Sequence, residues 1–207
     1  MQGAKRSDTR RYREHLQRRS APVSGGQHRP ISVIQWTSID GFGFMLSAAL
    51  FCLVVAISDG DTLKLRCGEA GAFRQLTVRL HAIDAPELSQ PFGRRARQAL
   101  SQIAYRKTAR LDCEDDEDRY HRRVCRVKVA PNSCTEAHCA KTLDAGLAML
   151  TVGMAWWSRA YADEQSPTER GQYAFAEFEA RGKRAGLWAD RRPVPPWTWR
   201  AAHPRTR

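Results

Sequence analysis

The stretch "QLTVRLHAIDAPE", residues 75–87, decides the fold and frames the chemistry. Leu76, Val78 and Leu80 alternate with Thr77 and Arg79, the period-two pattern of a half-buried strand that turns its arginine away from the apolar face. The strand then enters a loop in which Asp84 and Glu87 flank Pro86. Two carboxylates beside an arginine add nothing to an apolar core, so they either decorate a turn or handle a cation.

On either side of this stretch the pattern stays β. Upstream, "LVVAI" (53–57) and "TLKLR" (62–66) are short aliphatic runs joined by the turn formers "DGDT" (59–62). Downstream, "ARLDC" (109–113) and "VCRVKV" (124–129) read as two more strands, joined by the polar "EDDEDRYHRR" (114–123). Between the third and fourth strands Ala96, Ala99, Leu100, Ile103 and Ala104 recur at helical spacing, which predicts an amphipathic helix over 92–105. Five strands with a helix between the third and fourth follow the order of an OB-type barrel, so the expected class is α+β. Two further helices are expected. "TLDAGLAMLTVG" (142–153) opens at Thr142 as cap, and "SPTERGQYAFAEFEARGKRAG" (166–186) opens with a helix-start signature and ends at Gly186. The final "LWADRRPVPPWTWR" (187–200) is too rich in proline to predict a helix, and its tryptophans are expected to cover the core.

At 207 residues the chain suits one domain with its own core plus tails, and it has no internal repeat. Lys and Arg number 34 against 22 Asp and Glu, a net +12 that favours an anionic partner such as nucleic acid or an anionic membrane surface. Residues 1–30 hold eight Lys or Arg against Asp8 and Glu14, half of the excess, in a polar stretch too poor in apolar surface to order itself. The expected organisation is a disordered basic tail (1–30), a linker with an apolar, signal-like segment (31–51), a folded domain (52–190) and a Pro/Trp/Arg-rich tail (191–207). The apolar run Gly41–Ile57 is shorter than the roughly 20 residues that span a bilayer and about as long as a signal-peptide core. Its last residues also read as the first strand, so "FMLSAAL" is read as a partial export signal, with Met45 a natural start. That reading implies a secreted or periplasmic protein, and membrane association through the segment is the alternative. Monomer is the default state, and no stable protein partner is implied.

Six cysteines (52, 67, 113, 125, 134, 139) suit an oxidising compartment. Cys52 and Cys67 end two segments joined by the "DGDT" turn, and Cys134 and Cys139 bracket a short loop, so both pairs could bridge. A zinc site using Cys134, His138 and Cys139 is the sharper alternative, without a second pair at finger spacing.

Three charged clusters stand at strand rims: Asp59 and Asp61; Arg79, Asp84 and Glu87; Asp118, Arg119 and Arg122. Together they offer hard oxygen ligands for a calcium-like ion, arginines that grip phosphate bidentately, and a carboxylate, Glu87, left over for water. Those are the parts a phosphodiesterase needs.

The ordered motifs "DGDTLKL", "VRLHAIDAPE" with "QPFG", "DRYHRRV", "LTVGMAWW" and "ARGKRAGLW" resemble the staphylococcal nuclease (thermonuclease) family over about residues 52–190. The resemblance implies an OB-fold barrel with three helices and a calcium-dependent nuclease of DNA and RNA that leaves 3′-phosphates. It assigns Ca²⁺ to the Asp61 and Asp84 side chains and the Ala85 backbone carbonyl, water activation to Glu87, and phosphate binding to Arg79 and Arg122. Tyr161 corresponds to a base-stacking tyrosine. Ala85 stands where the archetype has Thr, and His121 replaces a Gly, with its imidazole expected to point outward. The rival function is a non-catalytic OB-fold nucleic-acid-binding module, which predicts lost carboxylates or arginines; all five are present. A second rival, a protein-interaction or membrane-surface domain working through the basic tail, predicts binding without hydrolysis.

Overall fold

The computed structural model describes residues 50–204 other than 119 and 137. Five strands build the barrel: β1 (Leu50–Ile57), β2 (Thr62–Cys67), β3 (Arg74–Leu80), β5 (Thr108–Glu117) and β6 (Arg123–Val129), while the two-residue β4 (Ile83–Asp84) leaves it. Neighbours run β3-β2-β1-β5-β6, and a parallel pairing of β3 with β6, from Val78 opposite Arg123 to Leu80 opposite Cys125, closes the ring. Closure leaves no long unpaired edge among these strands. All five strands lie where the alternation of the sequence puts them. The C-terminal part of the apolar run is β1, while its residues 41–49 and the basic segment 1–30 lie outside the described residues.

The alternation has its expected energetic sense. Val54, Leu63, Leu65, Val78 and Leu80 are turned inward and at most 1% exposed. Burying side chains of this size stabilises by about 1.5–3 kcal/mol each. Helix α1 (Gly93–Ala104) lays Ala96, Leu100 and Ile103 on this core, and α2 (Ala145–Thr151), after a short β7 (Leu143–Asp144), adds Met149 and Leu150. The cap of α2 is Asp144 rather than Thr142. Its carboxylate accepts from the Leu147 N–H at 2.9 Å and from the Tyr173 hydroxyl at 3.0 Å, which ties α2 to the next helix. That helix, α3 (Pro167–Gly182), opens at Ser166, whose Oγ accepts from the Glu169 N–H at 3.2 Å, and it stops at Gly182, before the expected Gly186.

A fourth helix corrects the reading of the C-terminal stretch. Residues Pro196–Ala202 form α4, with Pro195 as cap and Pro196 at the first helical position. A proline there loses no intrahelical bond and starts with the right φ, so this pair of prolines launches a helix instead of preventing one. The tryptophans divide. Trp188 is buried in a small cluster with Trp156, Leu187 and Ala180, whereas Trp197 packs edge-on against Trp156 and is half exposed.

Three disulfides are present: Cys52–Cys67, Cys113–Cys125 and Cys134–Cys139. The first two join directly opposed residues of neighbouring strands, and the third replaces the zinc alternative at the 134–139 loop. Three bridges point to an oxidising environment. No helix among the described residues is long and apolar enough to cross a membrane.

Candidate active site

Asp61 is set by the β1–β2 turn. Its N–H donates to Asp59 Oδ1 at 3.0 Å, and its Oδ2 accepts the N–H of Ala85 at 3.0 Å. Gly60 makes this approach feasible: a β-carbon there would lie 2.6 Å from Ala85 Cβ and 2.7 Å from Ala96 Cβ. The glycine of "DGDT" is therefore a packing requirement as well as a turn residue. Asp84 is fixed differently. β4 pairs with β8 (Trp156–Trp157), Ile83 opposite Trp157 and Asp84 opposite Trp156. Two buried acceptors hold β8 in turn: Glu177 takes the Trp157 N–H at 3.0 Å and Gln165 takes the indole N–H at 2.9 Å. The "MAWW" motif thus positions a carboxylate that lies about seventy residues earlier in the chain.

Glu87 sits in the loop before α1. The N–H of Gln90 donates to the Glu87 carbonyl at 2.8 Å, and Gln90 Oε1 accepts the Glu87 N–H at 3.2 Å. Gly93 lets α1 pack on this loop, since a β-carbon there would come within 1.8 Å of the Glu87 carbonyl oxygen. Arg122 begins the rim of β6 and is clamped by Asp118, whose Oδ2 accepts from Nε at 2.8 Å and Nη2 at 2.6 Å. Its Nη1 reaches Thr62 Oγ1 at 3.3 Å, so it stands above the β2 end of the barrel.

The charges compensate one another. Arg79 bridges Asp61 Oδ1 and Asp84 Oδ1, both at 3.1 Å, and donates to the Ile83 carbonyl at 3.3 Å. Burial works against its charge, but Asp61 and then Asp84 outweigh it and hold the guanidinium more firmly protonated than usual. Asp59, beside this pair, is pushed up to about 6 by burial and by the charge of Asp61. Asp118 also suffers from burial, yet the bonds from Arg122 and from the Tyr120 and Arg122 N–H groups keep its carboxyl below the usual range.

A cleft of about 1130 Å³ gathers these groups. Asp61, Arg79, Ala85, Glu87, Arg122 and Tyr161 line it, and Asp84, 5% exposed, lies just beneath, bonded to Arg79. All seven residues read from the sequence are thus brought together, while Arg119 lies outside the described residues. His121 does adopt the left-handed conformation that its glycine counterpart suggests, at φ 56°, and its side chain points outward, 93% exposed.

Sequence reasoning missed two lining groups. Tyr120, 57% exposed, sits inside the quoted "DRYHR" with the Arg122 guanidinium 5.2 Å from its ring centre, so an aromatic between two cationic rim residues was the available signal. The other is α4. Arg200 donates to Asp84 Oδ2 at 2.6 Å, Asp84 Oδ1 at 3.1 Å and Glu87 Oε1 at 3.0 Å. Its only sequence signal was a Pro-Pro pair followed by residues able to continue a helix. A separate group, His81, Glu114 and Glu164, brings three potential ligand atoms within 4.8 Å of one another. There Arg126 already pairs with Glu114 at 3.2 Å and donates to the Glu164 carbonyl at 2.9 Å, and His81 bonds Glu164 at 3.1 Å, so contacts within the protein account for the cluster.

Comparison with known proteins agrees with this geometry. The family model described as Staphylococcal nuclease homologue matches residues 77–190, from within β3 to Asp190. The chain belongs to the staphylococcal nuclease family. It is 38% identical over 149 residues to "Micrococcal nuclease" of Shigella flexneri, covering 72% of this chain and 79% of that protein. It is 40% identical over 147 residues to "Protein ParB" of Escherichia coli, covering 71% and 77%, respectively. It is 37% identical over 149 residues to "Uncharacterized endonuclease" of Haemophilus influenzae, covering 72% of each. The family match spans Arg79, Asp84, Glu87 and Arg122, while α4 lies beyond it.

Proposed function

We propose that the protein is a calcium-dependent nuclease that hydrolyses the 5′-O–P bond of DNA, RNA or both and leaves 3′-phosphates. The observation that carries this reading is the convergence of three carboxylates, Asp61, Asp84 and Glu87, with Arg79 and Arg122 on one cleft of a +12 protein. Membership of a nuclease family supports nuclease activity, and "endonuclease" in the names of several relatives supports internal cleavage.

The donor set fits a divalent cation. Asp61 and Asp84 are buried hard oxygen donors that already share one cation, the Arg79 guanidinium, and the Ala85 carbonyl belongs to the same loop. Asp61, Asp84 and the Ala85 carbonyl would hold Ca²⁺, whose chemistry is to neutralise charge on the phosphate oxygens. Glu87 accepts a proton from the water that attacks phosphorus. Arg79 and Arg122 set positive charge against the equatorial oxygens, where charge grows as the new P–O bond forms, and as the P–O5′ bond breaks the 5′-oxygen departs beside the Arg122 guanidinium and takes a proton from solvent water. Asp118 holds the Arg122 fork for that purpose. Tyr161, with its ring edge-on to His81, and Tyr120 supply flat faces to a nucleotide base. The three disulfides support an extracytoplasmic site of action, secreted or periplasmic.

The test is hydrolysis of heat-denatured DNA and of RNA by the full chain, in calcium and in EDTA, with end-group analysis. Calcium-dependent release of 3′-phosphate ends is expected. Equal cleavage in EDTA, or 5′-phosphate products, would overturn the proposal.

A further inference from the structure

Arg200 enters the cleft from α4, beyond the family match that ends at residue 190, and has no part in the reaction proposed for the site. Its fork makes three bonds: Nη2 to Asp84 Oδ2 at 2.6 Å, and Nη1 to Asp84 Oδ1 at 3.1 Å and Glu87 Oε1 at 3.0 Å. Arg79 also donates to Asp84 Oδ1, so both oxygens of Asp84 are engaged by guanidinium groups. A calcium ion bonds carboxylate oxygens at about 2.3–2.6 Å and carries like charge, so it competes with the Arg200 fork for Asp84.

The segment carrying this arginine is anchored. Gln90 Nε2, from the Glu87 loop, donates to the Val194 carbonyl at 2.6 Å, and Trp197 packs edge-on against Trp156, the residue paired with Asp84. The Arg200 side chain itself is 42% exposed, so it can swing off the carboxylates while α4 stays in place. Asp84 does not depend on it for its position, because β8 and Arg79 already hold that residue.

We propose that Arg200 sets the cation threshold: it is an internal counter-cation spanning Asp84 and Glu87, which a divalent ion must displace. α4 thereby couples the C-terminal segment to loading of the catalytic site. Removing the guanidinium abolishes the competition and leaves the carboxylates more negative, and both effects tighten cation binding. The inference rests on the cation-site reading of Asp61 and Asp84.

The test is calorimetric titration of the full chain with calcium chloride, wild type beside Arg200→Gln, Arg200→Lys and Asp84→Asn, with the half-activating calcium concentration as a second readout. Arg200→Gln is expected to bind calcium about tenfold more tightly, which is about 1.4 kcal/mol. Arg200→Lys, which keeps the charge and loses the fork, is expected in between. Half-activation should shift in parallel, whereas a role in stability alone would move the melting temperature and leave calcium affinity unchanged. Equal or weaker binding by Arg200→Gln overturns the proposal. Absence of binding by both folded proteins, or binding unchanged in Asp84→Asn, overturns instead the cation-site reading beneath it.

Discussion

Gly93→Ala adds one methyl group at the start of α1, and the structure gives its cost. The new β-carbon would lie 1.8 Å from the Glu87 carbonyl oxygen, 2.6 Å from its carbon and 2.9 Å from Leu88 Cα. Carbon and oxygen approach comfortably at about 3.3 Å, so the Glu87 loop must retreat by roughly 1.5 Å. The obstructing atoms are backbone, so no rotamer change relieves them. Forcing that shift costs about 1–3 kcal/mol, the range of an overpacked core. It also moves the Glu87 carboxylate from the position on which its proposed role depends, and a displacement near 1 Å costs on the order of a hundredfold in rate. The assay is a urea titration paired with initial rates on heat-denatured DNA in saturating calcium. Gly171→Ala serves as control, because nothing lies within 4 Å of its β-carbon on the exposed side of α3. That variant should gain roughly 0.5–1 kcal/mol and keep its rate. A Gly93→Ala protein with wild-type stability and rate would refute the claim that close packing of α1 positions Glu87.

Other consequences follow from the charges of the site. Arg122→Lys keeps a cation and loses the fork clamped by Asp118, so turnover should fall about 10²–10³-fold with DNA affinity little changed; an unaltered rate would remove Arg122 from the chemistry. Asp59 is raised from 3.8 to about 6, so the stability it contributes is full below its unfolded value and lost as pH rises through about 6. Asp59→Asn, which can still accept the Asp61 N–H, should therefore stabilise the protein in EDTA by about 1–3 kcal/mol at pH 7 and hardly at all at pH 4, read by melting at both. A gain equal at both pH values would contradict the assignment. Magnesium in place of calcium should lower the rate, because a smaller ion demanding octahedral geometry fits an open carboxylate site poorly; equal rates in the two ions would count against a calcium site.

The barrel was legible in the sequence because its strands alternate cleanly and its turns carry Asp and Gly, as at "DGDT". The catalytic candidates were legible because charged residues cluster at strand ends, where a core has no use for them. What escaped notice depends on contacts distant in sequence. Asp144, not Thr142, caps α2, and Tyr173, 29 residues later, bonds the same carboxylate. The α4 helix was hidden by its prolines, whose effect reverses at a helix start. Arg200 was hidden by the 113 and 116 residues that separate it from Glu87 and Asp84.

The measurement that bears most directly on the proposed activity compares wild type and Glu87→Gln for both single-stranded DNA affinity and turnover, in calcium. If Glu87 takes the proton of the attacking water, turnover falls by about 10²–10⁴-fold or more while affinity stays within a few-fold. Turnover that survives the substitution would contradict the assignment, and with it the claim that these three carboxylates and two arginines form one hydrolytic site.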